Sequence, residues 1–187
     1  MRPDLTKVPH TDIVDFWFIE TEPKQWFIKS EQFDRLIAER FAATVCQALK
    51  GERDDWGQQP TSCLALILLL DQFTRQIYRD TPQAYASDAK ALALSQAADQ
   101  KGWVQNSQDM NHRRFFLMPM MHSEDLAVQK ASLPLFATYT DESTLDFAQR
   151  HCDIIEKFGR FPHRNQSLGR QSTTAELAFL QQPGSSF

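Results

Sequence analysis

Leu64-Ala65-Leu66-Ile67-Leu68-Leu69-Leu70, running without a break into Asp71-Gln72-Phe73-Thr74-Arg75-Gln76-Ile77-Tyr78-Arg79, is the stretch on which the fold class turns. An unbroken apolar run of this length suits a buried strand as well as a buried helix. The continuation separates the two. Leu66, Leu70, Phe73 and Ile77 recur at helical spacing, which predicts a helix from about Thr61 to Arg79. Gln72, Arg75, Gln76 and Arg79 then share its opposite face.

The flanking segments repeat the pattern. Ile13, Val14, Phe16, Trp17 and Phe18 predict a buried first helix over Thr11 to Glu20. Ser30 is placed as an N-cap for a second, striped by Phe33, Ile37, Phe41, Val45 and Leu49 and ended by Gly51. Thr81 and Pro82 suit the start of an alanine-rich fourth helix reaching Ala98. A fifth is expected from Asp109 to Met118, with Pro119 breaking or kinking it. A sixth should start near Ser123 with Glu124 and Asp125 in its first turn, and Pro134 should kink or shorten it. Ser143 to Phe158 carries the stripe Phe147, Ala148, His151, Ile154, Ile155 and Phe158. Thr173-Thr174-Ala175-Glu176 reads as a capping box opening a last helix. No segment alternates at two. The expectation is an all-α single domain over residues 1–187, a stack of antiparallel pairs of about seven to nine helices.

The totals bound the function. A chain of 187 residues with 42% hydrophobic and 24% charged content is long enough for a real core and is not disordered. A net charge of −4 argues against a nucleic-acid partner, so any basic site is local. Cys46, Cys63 and Cys152 form no C-x-x-C pair and read as reduced core thiols. No signal-peptide pattern opens the chain, and the longest apolar run is too short to span a bilayer. A cytoplasmic protein with no membrane partner is expected.

Polar residues concentrate between Phe158 and Arg170, where Arg160, His163, Arg164, Asn165 and Arg170 crowd around Gly159, Pro162 and Gly169. Together with Gln72, Arg75, Arg79 and Arg113 they suit an anion, because a guanidinium gives a carboxylate or phosphate two parallel hydrogen bonds. Internal ion pairs to Asp71, Glu124, Asp125 or Glu176 are the alternative use of the same arginines. His151 faces inward on its stripe, either as a core histidine or as a groove wall. Trp26, in a connection, either lines the groove or packs. His122, Glu124, Asp125, His151 and His163 are the candidates for a hydrolase, metal-assisted or not, though H-E-x-x-H and similar spacings are missing.

One ordered set of motifs goes further. Phe16-Trp17-Phe18 precedes Trp26-Phe27; Leu68 to Arg79 follows, then Pro119-x-x-His122-Ser123-Glu124-Asp125, then His151-x-Asp153, Phe158-Gly159-Arg160-Phe161-Pro162-His163-Arg164-Asn165, and Leu168-Gly169-Arg170-x-Ser172-Thr173-x-x-Glu176. The set resembles the family catalogued as domain of unknown function 924, over nearly the whole chain. The resemblance implies a TPR-like fold of stacked helix pairs and carries no reaction or cofactor. Gln76 departs from it, standing where Asn is expected.

The expected function is a TPR-like binding module whose concave groove takes an anionic small molecule or peptide segment. The groove residues expected are Trp26, Gln72, Arg75, Arg79, Arg113, His122, Glu124, His151, Arg160, His163, Arg164 and Asn165. No cofactor or metal is expected. The hydrolase is the alternative.

Overall fold

A computed structural model describes residues 8–186. Its regular elements are all helical. We name them α1 (10–20, α-helical over His10–Asp15 and π-helical over Phe16–Glu20), α2 (Glu31–Leu49), α3 (60–77), α4 (Asp88–Gln100), α5 (Met110–Met121), α6 (Leu126–Tyr139), α7 (Glu142–Phe158) and α8 (Thr174–Leu180). Single turns at Pro23–Trp26, Asp54–Gln58, Pro82–Tyr85, Trp103–Asn106 and Pro162–Arg164 punctuate the connections.

The Leu64–Leu70 run is helical, and every one of its side chains is buried. A helix can be apolar all round only where neighbours cover every face. α3 meets that condition: α1, α2, α4 and α5 all pack on it. Aromatic rings fill the space between them, with Phe16 against Phe41 at 5.0 Å and Trp17 edge-on to Phe115 at 5.5 Å. Further along, α4 packs on α5, α5 on α6 and α6 on α7, each pair of neighbours joined by a short connection. This order fits the expected stack of helix pairs. A smaller apolar cluster of Ile154, Ile155 and Phe161 ties α7 to the C-terminal segment.

α3 is not regular. It is α-helical over Pro60–Ile67, π-helical over Leu68–Phe73 and α-helical again over Thr74–Ile77. The widened turn carries Asp71 and Gln72, both buried. π turns of this kind concentrate at functional sites.

Several boundaries differ from expectation. The Thr81 hydroxyl donates to the Tyr78 carbonyl at 2.7 Å instead of capping forward, so Pro82 opens only a single turn and α4 begins at Asp88. Asp125, not Ser123, caps α6, its carboxylate accepting from the Ala127 and Val128 N–H groups. Pro119 and Pro134 lie inside α5 and α6 without ending them. Each removes one N–H donor; at Pro119 the cost is offset by burial of every side chain from Phe115 to Met121. Phe147, placed on the buried stripe, is 45% exposed, with the Arg150 guanidinium over its ring. The Thr173–Glu176 capping box is present in both directions.

Candidate functional site

The site is built on the π turn of α3. Asp71 has no exposed surface. Three groups converge on its carboxylate: the Gln72 amide donates at 2.6 Å, the His122 Nδ1 lies at 2.8 and 3.0 Å from its two oxygens, and the Arg75 guanidinium sits 3.3 Å away. A carboxylate only accepts, so the His122 Nδ1 carries the hydrogen and Nε2 holds the lone pair in the neutral ring. Burial alone would raise the Asp71 carboxyl. The Arg75 charge and the hydrogen bonds from His122 and Gln72, with the His122 charge added when that ring is protonated, outweigh it and hold the group well below the usual carboxylate range. Asp71 is therefore ionised.

Asp88, one residue into α4, is the second anchor. Arg75 and Arg164 each donate to its Oδ2 at 3.0 Å. Arg164 comes from the Pro162–Arg164 turn and lies between two rings, 4.7 Å from the Tyr85 centroid and 4.6 Å from that of Phe161. Its second terminal nitrogen donates to the His122 carbonyl at 3.0 Å. Arg164 is 5% exposed, yet its Nε has no hydrogen-bond partner among the described residues, and neither has Asp88 Oδ1. Buried polar atoms without partners are uncommon in native folds.

Three imidazoles complete the cluster. The His122 and His151 rings are 6.2 Å apart, and Phe161 contacts both His151 at 5.5 Å and His163 at 5.7 Å. The Nδ1 of His151 lies 2.7 Å from the Phe147 carbonyl, one helical turn back. Burial, then the neighbouring positive charges, pushes His151 and His163 each down to about 3. Burial also lowers His122, against the pull of Asp71. All three are neutral near pH 7. The site reaches solvent: the side chains of Arg75, Asp88 and His122 keep 19%, 21% and 15% of their surface accessible. His163 also lines a cleft of about 570 Å³ together with Pro162, Gln166, Arg170 and Leu177.

Gln72, Arg75, His122, His151, His163 and Arg164 thus come together as expected. The other expected groove residues do not join them. Arg79 is bound bidentately to Asp34 on α2, and the Arg113 Nε donates to the Ser107 carbonyl. Trp26 is buried, stacked on Trp17 at 6.0 Å, with its indole N–H on the Trp17 carbonyl. Glu124, Arg160 and Asn165 belong to a clamp on the C-terminal segment. There Glu124 accepts two hydrogen bonds from Arg170 and one from the Phe161 N–H. Arg160 is bidentate to Glu176, and Asn165 donates to Ser172 and Glu176. Both uses of the arginines therefore occur side by side. Arg160 and Arg170 are clamp residues, while Arg75 and Arg164 sit in the cluster.

Asp88 and Tyr85 escaped the sequence reading, Phe161 entered it only as part of a motif, and Asp71 only as an ion-pair partner. A carboxylate between Leu70 and Phe73 in an otherwise buried helix was the available signal, since such a group must be paired. Nothing local marks Tyr85. Among the described residues, no group of three or more His, Cys, Asp or Glu side chains is placed to hold a metal. Asp125 is engaged as a cap and Glu124 in the clamp.

A solved structure of a protein of unknown function from Agrobacterium tumefaciens is similar, at 39% identity and a TM-score of 0.86, over 92% of this chain and 96% of that one. Comparison with curated proteins finds no match. The description "Bacterial protein of unknown function (DUF924)" covers residues 13–184, and the chain belongs to that family.

Proposed function

We propose that the chain is a binding module for a small oxyanion, a carboxylate or a phosphate, taken at the Arg75–His122–Arg164 cluster in a TPR-like stack that forms a single domain. The buried Arg164 Nε carries the reading, because a desolvated guanidinium hydrogen with no partner is a donor prepared for an acceptor. Arg75 and His122, both partly accessible, supply further donors beside it. No described helix is long and apolar enough to cross a membrane. Three free cysteines support a reducing, cytoplasmic address.

Isothermal titration with sulfate, orthophosphate and acetate tests the site. Each wild-type isotherm should show one site. Arg75→Gln should weaken binding at least about tenfold, about 1.4 kcal/mol. Arg160→Gln, which touches only the clamp, should leave the affinity unchanged. Equal loss in both variants would remove the cluster as the binding site.

A second reading, a hydrolase acting through His122, is favoured by the hydrogen-bonded Asp71–His122 pair. A carboxylate on Nδ1 holds the ring so that Nε2 can take a proton. An ester and phosphoester panel checks it: turnover abolished by His122→Gln supports the hydrolase, and turnover unchanged by that substitution removes it.

A further inference from the structure

The charges of the cluster balance before any ligand arrives. Arg75 and Arg164 are cationic, Asp71 and Asp88 are anionic, and the three imidazoles are neutral. The neighbouring Glu124 and Arg170 cancel one another in the clamp. An oxyanion entering this arrangement would leave an uncompensated negative charge among buried groups, which is strongly unfavourable in a poorly solvated site. Resting on the oxyanion reading above, we propose that the pocket takes its ligand together with one proton, and that His122 carries that proton.

Geometry selects His122 among the three imidazoles. Asp71 already accepts from its Nδ1, at 2.8 Å, and so stabilises the imidazolium directly. Protonation at Nε2 converts the remaining lone pair into a donor, which the ligand oxygen can accept. No bond other than N–H forms, and the proton comes from solvent. The groups facing His122 are Asp71 and Arg75 from α3, His163 and Arg164 from the Pro162–Arg164 turn, and His151 from α7. Asp88 and Tyr85 stand behind the two arginines. Of these, Arg75 and Arg164 offer His122 no acceptor, and Asp71 is the carboxylate that favours its charged form. The Nδ1 of His151 is engaged by the Phe147 carbonyl, a neutral acceptor, where that of His122 is engaged by a carboxylate. The ligand class follows. A monoanionic oxyanion matches one added proton, whereas a polyanion would again leave charge uncompensated.

Acetate is the probe for the mechanism, because it is a monoanion that does not itself titrate near neutral pH, and any proton uptake then belongs to the protein. Titrations of the intact chain at pH 7 in buffers of different ionisation enthalpy give the number of protons taken up. About one per bound acetate is expected, with affinity falling about tenfold per pH unit between pH 6.5 and 8. In His122→Gln, proton uptake should fall to near zero. Acetate binding without proton uptake, or binding of sulfate but not of acetate, overturns the proposal and leaves the oxyanion reading standing. Absence of binding by sulfate, orthophosphate and acetate alike overturns both. Undiminished uptake in a folded His122→Gln chain overturns the assignment to His122. The wild-type measurement decides the coupling itself whether or not that variant folds.

Discussion

Arg75 and Arg164 donate to the same oxygen of Asp88, each at 3.0 Å, from a helix in the first half of the chain and a turn near its end. The shared acceptor holds α3, α4 and the Pro162–Arg164 turn at one point. It also brings two like charges close together, which lowers the Arg164 guanidinium below its ordinary value once burial has begun the shift.

Arg164→Lys should be nearly as damaging as Arg164→Ala. The guanidinium serves Asp88 and the His122 carbonyl at once and lies between Tyr85 and Phe161. An ammonium is a point donor and cannot do all three. Both variants should lose about 2–3 kcal/mol in urea melts. Full recovery of stability with Lys would show that charge alone suffices.

The Glu124–Arg170 clamp should behave as a coupled pair. Glu124 accepts from both Arg170 terminal nitrogens and from the Phe161 N–H. Glu124→Gln and Arg170→Ala should each destabilise the chain, and the double variant should lose less than their sum by about 1 kcal/mol. A double-mutant cycle reads this. Anion binding should persist in all three folded variants.

Acid should unfold the chain from an unusually high pH. His151 and His163 sit at about 3 in the fold against about 6.5 when unfolded. Below that higher value the unfolded chain binds more protons than the native one, so stability falls as pH falls. The loss should approach about 1.4 kcal/mol per pH unit per histidine between pH 6 and 4. Glu176, lowered to about 2 by the Arg160 hydrogen bond, and Asp141, also about 2, extend the same sign below pH 4. Denaturant melts across pH should show His151→Gln with a shallower slope between pH 6 and 4. An unchanged slope would mean that His151 titrates normally in the native chain.

Trp26 offers a contrast between core and site. Trp26→Phe keeps the ring but loses the N–H to the Trp17 carbonyl, at 2.9 Å, and should cost about 1 kcal/mol. Trp26→Ala should cost about 3–5 kcal/mol by leaving a cavity. Oxyanion affinity of the folded Phe variant should match wild type. A clear loss of affinity there would return Trp26 to the site.

How far each feature could be read from the chain depends on whether its cause is local. Helical periodicity is local, so the all-α class followed from Leu66, Leu70, Phe73 and Ile77. Ser30 and the Thr173–Glu176 box bond within one turn of themselves and were equally legible. Gly159 ends α7 at φ 69°, the left-handed conformation glycine adopts without strain. The clustering of arginines and histidines as polar donors was visible too. Their partners were not. Whether Arg79 meets Asp34, Arg160 meets Glu176 or Arg164 meets Asp88 depends on which helices stack, a matter of long-range packing that no spacing encodes. The run opened by Leu64 shows both halves. Its sequence alone determined a buried helix. Only the tertiary structure decided that its π turn would place Asp71 against His122, because a carboxylate there must be paired and the pairing group comes from the end of α5.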